Sequence, residues 1–509
     1  MRTVEFFDVT DRNNNLVFHR DMLPFGVPKT LPGNLLFAYD FPSEGGWYFL
    51  KEAPCTDMQV AYPGYDFAVR DGGVEVHGIG LAPKDVEADA WIPVYGCVTG
   101  VFPGGELSAL RSLRAYQKTV RRHLADRDEM VMMNTWGDRS QDSRVNEQFC
   151  IDELVRGAAL GISHFQVDDG WQSGKSPASK YHKGSFSDIW KKEGYWSVDP
   201  QKYPHGLGPV VEKGRELGIE VGLWFNPSIQ DELTDWEKDA DVLISLYRRY
   251  GIRYFKIDGL KVPTKRAERR LAALFEKIRT ETADSVVINL DVTAGRRDGY
   301  FFMGGYGNIF LENRYTDFGS YYPYMTLRNL WHLSRYVPPE RLQIEFLNPW
   351  RNADKYPCGD IFAPSNYDFS YLFALTMAGQ PLAWFEASNL PEEAFSVAPL
   401  VTGYRSIMAA FHAGDILPVG EEPDGVAWTG FQSITDDRHG FLLIYREYSE
   451  GETGLLRTWL PDGARVRLTP VLGAGKKSSC RISEGGGLPV RLSRKNSFAL
   501  YQYEVLPER

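Results

Sequence analysis

Eight short apolar runs recur between Met130 and Ala387, and polar or charged residues collect near their C-terminal ends. They are MVMMNTW from Met130, SHFQVDD to Asp169, IEVGLWF to Phe225, IRYFKID to Asp258, SVVINLD to Asp291, NIFLEN to Asn313, LQIEFLNP to Pro349 and PLAWFEA to Ala387. Each has the length of a buried strand. Most are separated by stretches with apolar residues three and four apart, the spacing of one helix face. The alternation predicts an α/β fold, a (β/α)8 TIM barrel whose chemistry lies at the C-terminal ends of its strands. Asp168, Asp169, Asp258, Asp291 and Glu312 fall there, so an enzyme is the leading reading.

The pattern changes on both sides of this region. Residues 1–105 carry short β-like runs such as GWYFL and GVEVHGIGL, broken by Gly, Pro and Asn, and read as an N-terminal β-rich domain. A helix-like stretch from Leu107 to Leu124 leads into the barrel, whose domain spans 106–415. From 416 to 509 the runs GVAWTGF, GFLLIYRE, ARVRLTPVL and SFALYQYEV predict an antiparallel β-sandwich.

The 509 residues, 43% hydrophobic and 14% aromatic, suffice for a large core. A net charge of -10 argues against a nucleic-acid partner or a basic membrane-surface protein. No apolar run approaches the roughly 20 residues of a spanning helix, and the N-terminus lacks the apolar segment of a signal peptide. The expectation is a cytoplasmic protein, with a homo-oligomer left open. Five cysteines, scattered without CxxC spacing, read as reduced thiols. Nine histidines without HExxH or similar spacing predict no metal, and the glycines of MGGYGN lack the Lys-Ser/Thr of a phosphate loop, so no cofactor is expected.

Strand alternation puts Lys256 and Asp258 on one face of IRYFKID, which in a barrel is the interior. A cation beside a carboxylate keeps it ionised, as a nucleophile requires. An ion pair that merely closes the barrel mouth fits the strand equally well. SHFQVDDGWQ adds adjacent carboxylates, Asp168 and Asp169, next to Trp171, with Trp136 and Trp224 on neighbouring runs. Carboxylates accept pairs of hydroxyl hydrogens and an indole packs on the apolar face of a sugar ring, so together these residues point to carbohydrate. Each alone is also an ordinary cap or core residue.

FQVDDGWQ, GYWSVDPQKYPHGL, GLWFNP, YFKIDG and AGRRDG resemble, in order, the barrel of glycoside hydrolase family 36, the α-galactosidases and their relatives including raffinose synthase-like proteins. The likeness covers about residues 106–415 and, weakly, the flanks. It implies a retaining, exo-acting α-glycosidase working on terminal α-galactosides or a close analogue. Asp258 matches the family's nucleophile, Lys256 its lysine, and Asp168 and Asp169 the pair that holds sugar hydroxyls. The family's acid/base lies fourteen residues after the Asp of a G-R-F-D segment. Here GRRD ends at Asp298 and Glu312 stands at that offset, a Glu in place of the family's Asp, followed by Asn313. Asp317 is the fallback.

Other departures bear on substrate. Asn226 and Ser228 replace two acids of the family's strand-three end, and the long segment that follows it in the family, with a sugar-contacting Arg, is missing. LDVTAG brings Asp291 where the family often has Cys-x-Ser-Gly-Gly. Asp291 then either recognises a different substituent or pairs with Arg296 or Arg297. Asp291, Arg296 and Asp298 join the expected substrate-binding set. A raffinose synthase-like transferase and a carbohydrate-binding barrel without turnover remain the alternatives.

Overall fold

The computed structural model describes residues 1–8, 15–23, 27–40, 42–291, 299–311 and 314–507. All eight apolar runs form strands, and the strands close a parallel barrel: β1 (Met132–Asn134), β2 (His164–Val167), β3 (Glu220–Phe225), β4 (Tyr254–Ile257), β5 (Val287–Asp291), β6 (Gly307–Phe310), β7 (Leu342–Phe346) and β8 (Gln380–Trp384). Neighbours in sequence are neighbours in space. The ring shuts where β8 pairs with β1, Ala383 opposite Met133. Apart from Glu220 at the start of β3, every residue of these strands is buried, which explains why the runs read as continuously apolar rather than alternating.

The intervening helices show the expected one-sided pattern. Lys265–Glu281 buries Leu271, Leu274, Phe275 and Ile278 against the barrel, and Thr264 caps it by accepting the Ala267 amide on its hydroxyl (3.2 Å). The lead-in helix runs from Gly105 to Val120, slightly earlier than the apolar pattern indicated.

Before the barrel lie a five-stranded antiparallel sheet and a three-stranded one. Phe6, on the first strand, meets Tyr300, Phe301 and Tyr336 at centroid distances of 5.8, 5.0 and 6.0 Å, joining that sheet to the barrel core. After the barrel, a six-stranded antiparallel sheet and a two-stranded ribbon include all four runs expected there. The Tyr445 hydroxyl donates to the Ala374 carbonyl (2.6 Å) and ties this sheet to the barrel. All five cysteines are free thiols. Among the described residues, no helix is long and apolar enough to cross a membrane.

Candidate active site

The C-terminal ends of the strands enclose a cavity of about 290 Å³. Its wall carries Asp168 and Asp169 from the end of β2, Trp224 and Asn226 from β3, Lys256 and Asp258 from β4, and Asp291 from β5. Trp136, Phe310, Tyr315 and Trp384 supply aromatic surface. At the small end of ligand cavities, which span about 300–1,000 Å³, this space suits one sugar ring better than a chain.

Lys256 stands at its floor. The ammonium lies 3.1 Å from Asp168 Oδ2 and 3.6 Å from Asp291 Oδ2, and it sits over the rings of Phe310 (4.1 Å) and Trp384 (5.1 Å). Burial alone would lower its pKa, but Asp168, Asp291 and Asp258 together hold it above that of an ordinary lysine. The site therefore contains a permanent cation under a group of carboxylates. Asp168 is further fixed by Asn134, whose Nδ2 donates to Oδ2 (2.8 Å) and to Gln166 Oε1 (2.8 Å).

Asp169 accepts from Gln172 Nε2 (2.7 Å) and from the Ser176 hydroxyl. Burial pushes its pKa up to about 6, with the Asp168 charge adding to the rise and the two hydrogen bonds opposing it. The DDGW turn depends on Gly170, at φ +127, where a Cβ would stand 2.7 Å from Asp142 Cβ. The GYWSVDPQKYPHGL segment braces this turn: Ser173 and Gly174 amides donate to Ser197 and Tyr195 carbonyls (2.8 and 2.9 Å), and Lys202 Nζ donates to Gly170 O (2.9 Å).

Asp258 is half-buried at the rim. Its Oδ2 accepts from Trp224 Nε1 (3.0 Å) and its Oδ1 from the Gly259 amide (2.5 Å). Gly259 takes φ +66, and a Cβ there would lie 1.6 Å from Asn226 Oδ1. The turn that presents Asp258 therefore requires glycine. These bonds orient the carboxylate, and Asp258 and Lys256 share a cavity as the strand alternation predicted.

Two expectations are corrected. Trp171 is fully buried and does not face the cavity: its Nε1 donates to the Trp224 carbonyl (2.8 Å) and its ring stacks on Trp196 at 5.9 Å. The loop after β2 turns the ring inward, so it supports Trp224 from behind. Asp317 does not line the cavity either. Its Oδ2 lies 3.6 Å from Arg139 Nε, and that guanidinium spans Tyr315 and Phe318. Ser228, at one of the two altered acid positions, is buried away from the cavity, whereas Asn226 lines it. Glu312, Asn313, Arg296, Arg297 and Asp298 lie outside the described residues.

Sequence reasoning missed Asn134, Ser176, Phe310, Tyr315 and Trp384. Asn134 and Trp384 occupy the C-terminal ends of β1 and β8, so strand-end position was an available signal for both. One group of metal-ligand type occurs among the described residues, His123, Glu129 and His412, and it lies away from this cavity. The imidazoles each bond one oxygen of Glu129 (2.7 Å both). Burial would raise the Glu129 pKa, but His412 and His123 hold it down to about 2.

A family model described as Melibiase matches residues 103–251, a span that ends just before Asp258. An α-galactosidase of Escherichia coli is 31% identical over 136 residues, 26% of this chain and 17% of that protein. α-Galactosidase AgaA of Geobacillus stearothermophilus is 29% identical over 121 residues, 23% of this chain and 15% of its own length. Each match thus takes in less than a fifth of the relative. In structure the likeness is wider. The family 36 α-galactosidase AgaA of G. stearothermophilus superposes with a TM-score of 0.67 at 14% identity, covering 96% of this chain and 73% of that one. A variant of it in complex with raffinose gives 0.66 at 14% identity, covering 96% and 73%. The barrel with its antiparallel C-terminal sheet is the fold of these family 36 enzymes, and that likeness in fold spans 96% of the chain.

Proposed function

We propose that this chain is a retaining, exo-acting α-glycosidase that cleaves terminal α-galactosides or a close analogue. The observation that carries the reading is the Asp258 carboxylate, held on the cavity wall by Trp224 Nε1 and the Gly259 amide beside a buried lysine. Asp258 attacks the anomeric carbon while Glu312 gives its proton to the leaving oxygen, forming a glycosyl ester. Glu312 then takes a proton from water, the water attacks the same carbon, and Asp258 leaves. Two inversions give net retention, and such pairs have carboxyl groups about 5 Å apart. Asp168 and Asp169 accept sugar hydroxyls, Asp291 takes a further polar substituent, and Trp136 and Trp224 cover the apolar ring face. Arg296 and Asp298 complete the proposed substrate contacts.

We assign this chemistry to a barrel unit of residues 106–415, between β units 1–105 and 416–509. The test is incubation with an aryl α-galactoside, with and without a sugar acceptor, following the first-formed anomer by NMR. Release of α-galactose supports the proposal. Release of β-galactose, or no turnover of any α-galactoside, overturns it. Transfer that prevails over hydrolysis when acceptor is present would place the chain with the transferases.

A further inference from the structure

A second cavity, of about 340 Å³, opens at the other end of the barrel. Its wall comes from chain that precedes strands rather than follows them: the end of the lead-in helix up to Ala125, the Pro338–Arg341 segment just before β7, and the end of the helix Ala398–His412. It is lined by cations, Lys118, Arg121, Arg122, Arg341 and His412, with Glu340 as their acidic neighbour on the wall. That concentration stands out in a chain of net charge -10.

Part of this charge is already neutralised. Arg121 pairs with Asp128 (2.5 Å), Lys118 with Asp415 (2.8 Å) and His412 with Glu129 (2.7 Å). Arg122 and Arg341 have no carboxylate partner within ion-pair distance among the described residues. Arg341 is only 8% exposed. Its Nη2 donates to the Gly304 and Gly307 carbonyls (2.6 and 2.8 Å), but its Nε has no partner. Burial, reinforced by Arg121 and opposed by Glu340 and Asp128, lowers its pKa to about 10, so it still carries its charge at neutral pH. Behind the wall, Arg114 is also buried. It bonds Gln117 Oε1 (2.9 Å) and the Ser334 carbonyl (2.7 Å), again with Nε unpartnered. Both buried guanidiniums feel carboxylates only from beyond ion-pair distance, Glu340 in each case, and a cavity beside them offers room for an anion.

The same charges weigh against a divalent metal at His123, Glu129 and His412. Both carboxylate oxygens there are engaged by imidazoles, and a metal would add two positive charges beside Arg121, Arg122 and Arg341. Arg121, Arg122 and Arg341 line this one cavity, and guanidinium groups match phosphate oxygens, which they can bind in pairs. The volume exceeds what one phosphate ion fills, and Glu340 provides an acceptor for hydroxyls.

We propose that this cavity is a binding site for a small phosphorylated sugar or polyol, with the phosphate between Arg122 and Arg341 and a hydroxyl facing Glu340. The site is separate from the Asp258 cavity and does not depend on the activity assigned there.

Isothermal titration calorimetry at fixed ionic strength tests it, with glucose 6-phosphate, inorganic phosphate and glucose as probes. The expected result is saturable binding of glucose 6-phosphate to the wild-type chain, at least tenfold weaker in Arg122→Gln and in Arg341→Met, with inorganic phosphate binding more weakly at the same site. Arg122 is exposed, so its variant keeps the test valid even if Arg341→Met does not fold. Equal binding of glucose and its phosphate, no saturable heat with either phosphate probe, or unchanged affinity in Arg122→Gln would overturn the proposal.

Discussion

The Lys256 ammonium bonds Asp168 Oδ2 at 3.1 Å, at a depth where neither side chain exposes more than 4% of its surface. A cation this deep leaves several carboxylates uncompensated if removed. Breaking a buried pair by deleting one partner costs about 3–5 kcal/mol. Lys256→Met should therefore lower the urea midpoint clearly and also depress kcat/KM. Adding Asp168→Asn should restore part of the stability but none of the activity. Additive losses in the double mutant would show that the two residues do not act as a pair.

Asp258→Asn should abolish turnover of good-leaving-group substrates while galactose still binds, as measured by calorimetry. Added azide should give no glycosyl azide of retained configuration. Near-normal activity would remove Asp258 from the role of nucleophile.

For Glu312→Gln, the expected pattern is a burst with an activated aryl glycoside, then slow turnover, because the phenolate leaves without a proton but the second step lacks its base. Azide should restore turnover with retention, while natural glycosides remain uncleaved. Asp317→Asn, whose carboxyl pairs with Arg139 outside the cavity wall, should behave like wild type.

Asp169 makes a prediction about pH. Its folded pKa is raised from 3.8 to about 6, so the folded state holds its proton over a range where the unfolded chain has released it. The contribution of Asp169 to stability is fully present below about pH 4 and is lost as pH rises through about 6. The full effect is on the order of 3 kcal/mol at 1.4 kcal/mol per pKa unit. Asp169→Asn should remove this part of the pH dependence, seen as a difference in unfolding free energy that changes between pH 4 and 6.5 and is flat above. In wild type, kcat/KM should fall below about pH 6, where the carboxylate takes up a proton and loses acceptor capacity. A difference independent of pH would contradict the assignment.

Gly259→Ala should reduce kcat more than it raises KM, since the Cβ collides with Asn226 Oδ1 and displaces the backbone that presents Asp258. Asn226→Gly in the same chain should recover part of the loss. Failure of that rescue would leave backbone strain at φ +66 as the whole cause.

The barrel was legible because its strands are buried on both faces and end in charge, a combination few other elements show. That Lys256 and Asp258 share one face followed from strand alternation alone, whereas their roles came from the family resemblance. Trp171 misled because it lies two residues beyond the strand-end carboxylates, where alternation no longer applies and the turn at Gly170 decides which way a ring points. Phe310 and Trp384 escaped notice for the opposite reason: within a strand an aromatic residue reads as core, and here core and cavity floor are the same surface. His123, Glu129 and His412 gave no signal, since Glu129 and His412 meet across 283 positions of chain.

Trp171, Trp196 and Trp224 form a ladder, with ring centroids 5.9 and 6.0 Å apart, that ends in the bond to Asp258. Indole emission responds to local charge, and neighbouring indoles exchange excitation. Esterification of Asp258 would neutralise the acceptor at one end of the ladder and change the emission along it. The protein thus contains its own optical gauge for that carboxylate, readable in stopped flow without a label.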